Sequence, residues 1–150
     1  MLNVLFVCRG NTCRSVLAEG LFRKMTTTTG LGAKVEIVSA GTHVKNESLP
    51  PNSKAIQVAS ERGIYVDMIR TRAVRQSDFL NFDHVLAMDE KNLIALAEFQ
   101  PGENEKKPCL LLDFSPSVAE QEITDPYGRG IESYQDAARL IEIGCRGFLA

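Results

Sequence analysis

A chain of 150 residues can bury a core of its own, and 44% apolar with 24% charged residues is the balance of a globular protein in water. A formal net charge of −2 argues against nucleic acid or anionic lipid as the main partner. No apolar run approaches the roughly 20 residues of a membrane helix, and residues 2–7 are too short for a signal-peptide core and have no basic residue before them, so the expectation is one cytoplasmic domain, 1–150.

Residues 2–7 are nearly all apolar, as in a strand buried on both faces. After a polar octet, residues 16–25 place Leu17, Leu21 and Met25 four apart, the stripe of a helix that the threonine run 26–29 and Gly30 should end. A second strand is predicted over 34–38, a loop over 39–51, and a helix over 53–62 closed by Gly63. Residues 77–80 read as a short helical turn and 83–88 as a third strand. Asp89 then caps a helix running to about Phe99. Residues 101–107 read as a polar surface loop, 109–112 as a fourth strand, and 131–149 as a last helix with Tyr134, Ala138, Ile141, Cys145 and Phe148 on its inner face. Such alternation predicts an α/β fold, a four-stranded parallel sheet with helices on both faces. Ligands of these folds bind beyond the carboxyl ends of the strands, which directs attention to the loop after Val7.

Four cysteines in a domain of this size need not be staples, and in a reducing compartment any with a special role is catalytic or redox-active. The five-residue offset between Cys8 and Cys13 is wrong for a zinc knuckle, and neither His43 nor His84 has metal-type neighbours, so no metal or other cofactor is expected.

The loop reads Cys8-Arg9-Gly10-Asn11-Thr12-Cys13-Arg14-Ser15. A cysteine followed six positions later by an arginine is weak evidence alone; between a buried strand and a helix start it becomes specific. Gly10 and Asn11 are residue types that accept unusual backbone angles. A loop closing into a helix can turn successive N–H groups inward as a cradle for phosphate oxygens. Arg14 can add a bidentate contact that lysine could not match. The same dipoles favour a thiolate at Cys8, placed for in-line attack on phosphorus. Ser15 can donate to the sulfur and help it leave. A surface ion pair for Arg14 and a small buried apolar role for Cys8 are the plainer alternatives.

The octet, with Ser39-Ala40-Gly41-Thr42, Met88-Asp89 and Asp125-Pro126-Tyr127, resembles the low-molecular-weight protein tyrosine phosphatases along essentially the whole chain. The resemblance implies hydrolysis of phosphotyrosine on a protein substrate through a cysteinyl-phosphate, with inorganic phosphate as product. It implies Cys8 as nucleophile, Arg14 as clamp, and Arg9, Gly10, Asn11, Thr12, Cys13 and Ser15 as the remainder of the phosphate loop. Of nineteen acidic residues, Asp125 is preferred as proton donor and base, because it follows the fourth strand and Pro126 stiffens it. The family's general acid is the aspartate of this same motif. An Asx turn that starts the last helix is the alternative for Asp125, and a half-buried loop aromatic is the alternative to a cleft wall for Tyr127. In the family a cysteine at position 13 can form a reversible disulfide with the nucleophile.

Three departures bear on specificity. Val16 stands where the family usually has proline, Gly128 where several members have a second aromatic, and Thr12 where tyrosine-directed members often have isoleucine. Thr12 resembles the protein-arginine phosphatase branch, whereas Tyr127 and residues 72–76 resemble the tyrosine-directed group. Arsenate reduction needs a relay of further cysteines, and residues 79–92 contain none. A non-catalytic phosphate-binding module would need neither thiolate nor facing carboxyl. His43, Asn46 and Glu47 are expected to rim the cleft.

Overall fold

The computed structural model describes residues 1–100, 102 and 108–150. The loop predicted over 101–107 thus lies, apart from Gly102, outside the described residues. Four parallel strands, β1 (Leu2–Cys8), β2 (Val35–Gly41), β3 (His84–Ala87) and β4 (Cys109–Leu110), form one sheet in the order β2-β1-β3-β4. Five helices connect and cover them: α1 (Arg14–Thr28), α2 (Ser53–Glu61), α3 (Asp78–Asn81), α4 (Glu90–Phe99) and α5 (Ile131–Leu149). This is the α/β architecture that the alternation predicts.

β1 is central, and the period of two in its side chains divides the core. Val4, Phe6 and Cys8 face the cluster built by α1, α2 and α5. Leu5 and Val7 face a second cluster holding Phe79, Phe82 and Leu96 from the α3–α4 side. Polar residues on either face would have no water to meet, which is why the strand reads as an unbroken apolar run. Because β1 lies between β2 and β3, connections leave it in opposite directions, and its carboxyl end opens at the switch point of the sheet.

The boundaries differ from the predictions where side chains settle backbone bonds that propensity alone leaves open. α1 runs through the threonines instead of ending at them. Thr28 and Thr29 return their hydroxyls to the carbonyls of Lys24 and Met25 at 2.9 and 3.0 Å, which keeps the last turn closed. β2 continues through Ser39, Ala40 and Gly41, predicted as loop, because all three pair with β1 and are buried. Ser39 also donates to the carboxylate of Glu19 on α1 at 2.7 Å, and Arg23 holds the other oxygen at 3.0 Å.

β4 is shorter than predicted. Residues Leu111–Phe114 turn into a 3-10 helix, with Asp113 accepting from the Leu110 N–H at 3.2 Å. Leu111 packs against α5, which comes close enough that a Cβ on Gly147 would lie 2.2 Å from the Phe114 carbonyl oxygen. Gly63 has φ +75° at the end of α2 as expected, and Asp89 caps α4 in a reciprocal pair with Asn92.

Gly41 ends β2 against the loop that follows β1. A Cβ there would lie 2.7 Å from the Arg9 carbonyl oxygen and 3.0 Å from the Asn11 nitrogen. Backbone cannot retreat as a flexible side chain can, so Gly41→Ala should displace the loop. The expected result is a stability loss of about 1–3 kcal/mol, with phosphate affinity lowered further than the unfolded fraction explains. Thermal melts with and without inorganic phosphate check this; unchanged phosphate-dependent stabilisation would contradict it.

Candidate active site

The chain leaves β1 at Cys8 and turns through Asn11, whose φ is +58°. Asparagine tolerates this left-handed conformation better than most side chains, and here it is fixed from both ends. Its Nδ2 donates to Ser15 Oγ at 2.8 Å, and its Oδ1 accepts the Arg72 N–H at 2.8 Å. Gly10 makes no use of a positive φ, so of the two residues predicted to bend the loop only Asn11 does so.

The loop's carbonyls turn outward: those of Cys8, Arg9 and Thr12 accept from the N–H groups of Thr42, His43 and Asn52 at 3.0, 2.8 and 3.0 Å. Among the described residues the N–H groups of residues 10–15 meet no protein acceptor. Donors left over at a helix start, next to α1, are what an anion requires.

Cys8 lies at the base of a cavity of about 200 Å³ and is 3% exposed. Its Sγ is 3.0 Å from Ser15 Oγ. Of the predicted site residues all but Asn11 and Ser15 line the cavity; those two stand behind the loop and hold its shape. His43 joins the lining, as the sequence reading expects of the rim. Asn46 and Glu47 do not: the Asn46 carbonyl accepts from Thr71 at 2.9 Å, and Glu47 is spent on the Ala73 N–H and on Arg75.

Arg14 is 2% exposed, and an unpaired guanidinium so buried would cost several kcal/mol. Its NH1 donates to Asp89 Oδ2 and to the Ile123 carbonyl, both at 2.7 Å. Burial works against its charge, but the Cys8, Asp89 and Asp125 charges outweigh it and hold the guanidinium above its ordinary pKa. Its Nε is buried without a partner among the described residues, and NH2 lies 3.7 Å from Asp125 Oδ2. One edge of the fork is thus anchored, and the other is left for an oxyanion.

Asp125 Oδ1 accepts the Tyr127 N–H at 3.1 Å, so the Asx turn weighed from sequence exists, while Oδ2 is the oxygen nearer Arg14. The motif does not start the last helix, which begins five residues on from Pro126 at Ile131 behind Gly130. Tyr127 lines the cavity and is 70% exposed, a wall on the solvent side. Asp89, visible in the sequence only as a helix cap, also orients Arg14; the Met88-Asp89 pair was the one available signal. Tyr134 was expected as core and proves to receive a hydrogen bond from Cys13 Sγ at 3.6 Å. Among the described residues no three His, Cys, Asp or Glu side chains converge as a metal site.

A sequence profile described as "Low molecular weight phosphotyrosine protein phosphatase" matches residues 3–150. The low molecular weight protein-tyrosine-phosphatase YfkJ of Bacillus subtilis is 34% identical, over 100% of this chain and 95% of that protein. The crystal structure of a protein tyrosine phosphatase from Entamoeba histolytica, with Hepes in its active site, superposes with a TM-score of 0.93. It is 34% identical and covers 99% of this chain and 95% of its own. The arginine phosphatase YwlE, solved as a cysteine-to-serine mutant with a phosphorylated active-site serine, superposes at 0.86 with 25% identity, over 98% of this chain and 93% of its own.

The cysteines differ in electrostatic setting. Burial pushes the Cys13 thiol up against the opposing hydrogen bonds from Thr12 and Tyr134, and burial likewise raises Cys109 and Cys145. A raised thiol stays protonated to higher pH and is a poor nucleophile near neutrality. Cys8 lines the cavity beside the unpartnered N–H groups of residues 10–15, so iodoacetate at pH 7 should label it first, with Cys13 and Cys109 following only as pH rises and Cys145 reacting only on unfolding. Peptide mass spectrometry reads the order; Cys13 or Cys109 labelled ahead of Cys8 would contradict it.

Proposed function

The chain belongs to the low molecular weight phosphotyrosine protein phosphatase family, whose members act through a cysteinyl-phosphate, and we propose that Cys8, Arg14 and Asp125 carry that reaction here. The protein is a phosphoric monoester hydrolase acting on phosphotyrosine, so its substrates are phosphorylated proteins and its product is inorganic phosphate. The observation that carries the residue assignment is that Cys8 and Arg14, from the loop after β1, and Asp125, from far along the chain, wall one cavity of about 200 Å³.

In the first step the Cys8 thiolate attacks phosphorus while the bond to the phenolic oxygen breaks. The equatorial oxygens are held by the loop N–H groups and by the free edge of Arg14, which meets charge that spreads as the bond loosens. The Asp125 carboxyl gives its proton to the departing phenolate. In the second step the Asp125 carboxylate takes a proton from water, the water oxygen bonds to phosphorus, and the S–P bond breaks. Ser15 Oγ, 3.0 Å from the sulfur, donates a hydrogen bond to the thiolate as it reforms. Arg9, Gly10, Thr12 and Cys13 complete the wall around the phosphoryl group. Tyr127 stands beside the substrate ring at the mouth.

Tyr127 favours a flat aromatic ester, in keeping with the relatives named as tyrosine phosphatases. Thr12 lines the same cavity, and its hydroxyl is engaged with Cys13 Sγ at 3.6 Å. We infer a cytoplasmic location, a reducing compartment in which the Cys8 thiol stays free. No helix of the described residues is long and apolar enough to cross a membrane.

Asp125→Asn keeps the Asx turn, since an amide oxygen can also accept the Tyr127 N–H, but it can neither give nor take the proton. On a phosphotyrosine peptide, kcat should fall by about 10²–10⁴. The fall should be smaller on para-nitrophenyl phosphate, whose leaving group needs little protonation. Equal losses on both substrates would move the proton transfer to another group.

A further inference from the structure

Next to the catalytic cavity lies a second cleft of about 340 Å³, which shares Arg9, Arg14, His43 and Asp125 with it as a common wall. Its remaining rim brings Lys91 from the first turn of α4 and Arg129 from the turn after Tyr127. The carboxylates of this cleft are already committed. Asp89 holds Arg14 and the Asn92 N–H, Glu122 accepts the Glu90 N–H at 2.7 Å, and Asp125 holds its own turn. The cations are not. Among the described residues the side chains of Arg9, Lys91 and Arg129 make neither hydrogen bond nor ion pair, whereas Arg14, Arg23, Arg62, Arg72, Arg75, Arg139 and Arg146 each have a carboxylate partner.

Three uncommitted cations around one concavity are unusual in a chain whose formal net charge is −2. With Arg14 they make four cations against the carboxylates of Asp89, Glu122 and Asp125, a small positive excess whose free members stand where a substrate enters. Because the two cavities share a wall, the cleft adjoins the place where residues flanking a phosphotyrosine above Cys8 would emerge. We propose that the cleft is a second anion subsite: it selects phosphotyrosines flanked by an acidic group, with Arg9, Lys91 and Arg129 receiving the flanking carboxylate or second phosphate. This rests on the phosphotyrosine reading of the catalytic cavity and names the substrate class that cavity prefers. The contacts form equally in the ground and transition states, so they lower KM and leave kcat unchanged. They are exposed, so salt screens them.

The test uses three phosphotyrosine peptides that differ only in the residues flanking the phosphotyrosine: alanine, glutamate or phosphoserine. Free phosphotyrosine serves as a fourth substrate. For the unmodified protein at low salt, kcat/KM should rise about three- to tenfold from alanine to glutamate. It should rise further to phosphoserine if a dianion is the better fit, and the gain should lie in KM and shrink at high salt. The variant Lys91→Glu/Arg129→Glu should lose or invert the preference while turning over free phosphotyrosine at the unmodified rate, which also shows that it is folded. Equal kcat/KM on the three peptides, or a preference that persists in the variant, would overturn the subsite alone. Failure of the unmodified protein to hydrolyse even free phosphotyrosine would instead bring down the reading of the catalytic cavity, and the subsite with it.

Discussion

Asn11 uses both ends of its side-chain amide, Nδ2 on Ser15 and Oδ1 on the Arg72 N–H, and so holds its own backbone at φ +58°. A non-glycine residue in that region is retained only where its surroundings over-determine it. Here the surroundings reach far. The Arg72 carbonyl accepts the Gly41 N–H at 2.9 Å, and the Arg72 guanidinium forks onto buried Asp78, which also accepts the Arg75 N–H at 2.8 Å. The end of β2, residues 72–75 and the start of α3 thus form one brace behind the loop. Released from it, the chain would relax toward ordinary turn angles, and the unpartnered N–H groups of residues 10–15 would lose their arrangement.

The same constraint positions the chemistry. Ser15 takes the Asn11 amide at 2.8 Å and lies 3.0 Å from Cys8 Sγ, so the residue that shapes the loop also sets the group beside the proposed nucleophile. Arg14, the next residue along, enters the core sideways and is gripped by Asp89 at the carboxyl end of β3 and by the Ile123 carbonyl. Long side chains lose entropy when a ligand fixes them. Arg14 is already fixed on one edge, so holding a phosphoryl oxygen on the other costs little further ordering. The contacts that stabilise the buried charge are the same ones that would ready Arg14 for the proposed role.

How much of this could be read from sequence follows from where the signal is local. The apolar run of β1, the stripe of α1, the Asp89 cap and the last helix have periods or caps, and each stands in the structure within a few residues of its prediction. The loop after β1 was legible because its residues are consecutive and lie between a strand and a helix. The contacts that hold it were not, because they join residues far apart: Asn11 with Arg72, Arg14 with Ile123, Cys13 with Tyr134. Nothing near Arg72 marks it as a brace, and a carbonyl such as that of Ile123 carries no sequence signal. The strand ends were misjudged for the same reason. Ser39 to Gly41 look like a turn by composition, yet pairing with β1 keeps them extended.

The proposed reaction passes a phosphoryl group through the Cys8 sulfur. The most direct measurement is rapid acid quench of the protein during turnover of a phosphotyrosine peptide, followed by mass spectrometry of the peptide that carries Cys8. Phosphate should be found on Cys8, formed at least as fast as overall turnover, and Cys8→Ser should release no phosphate while still being stabilised by it. Phosphate released at an undiminished rate by Cys8→Ser, with no phosphocysteine trapped from the unmodified protein, would contradict the covalent route.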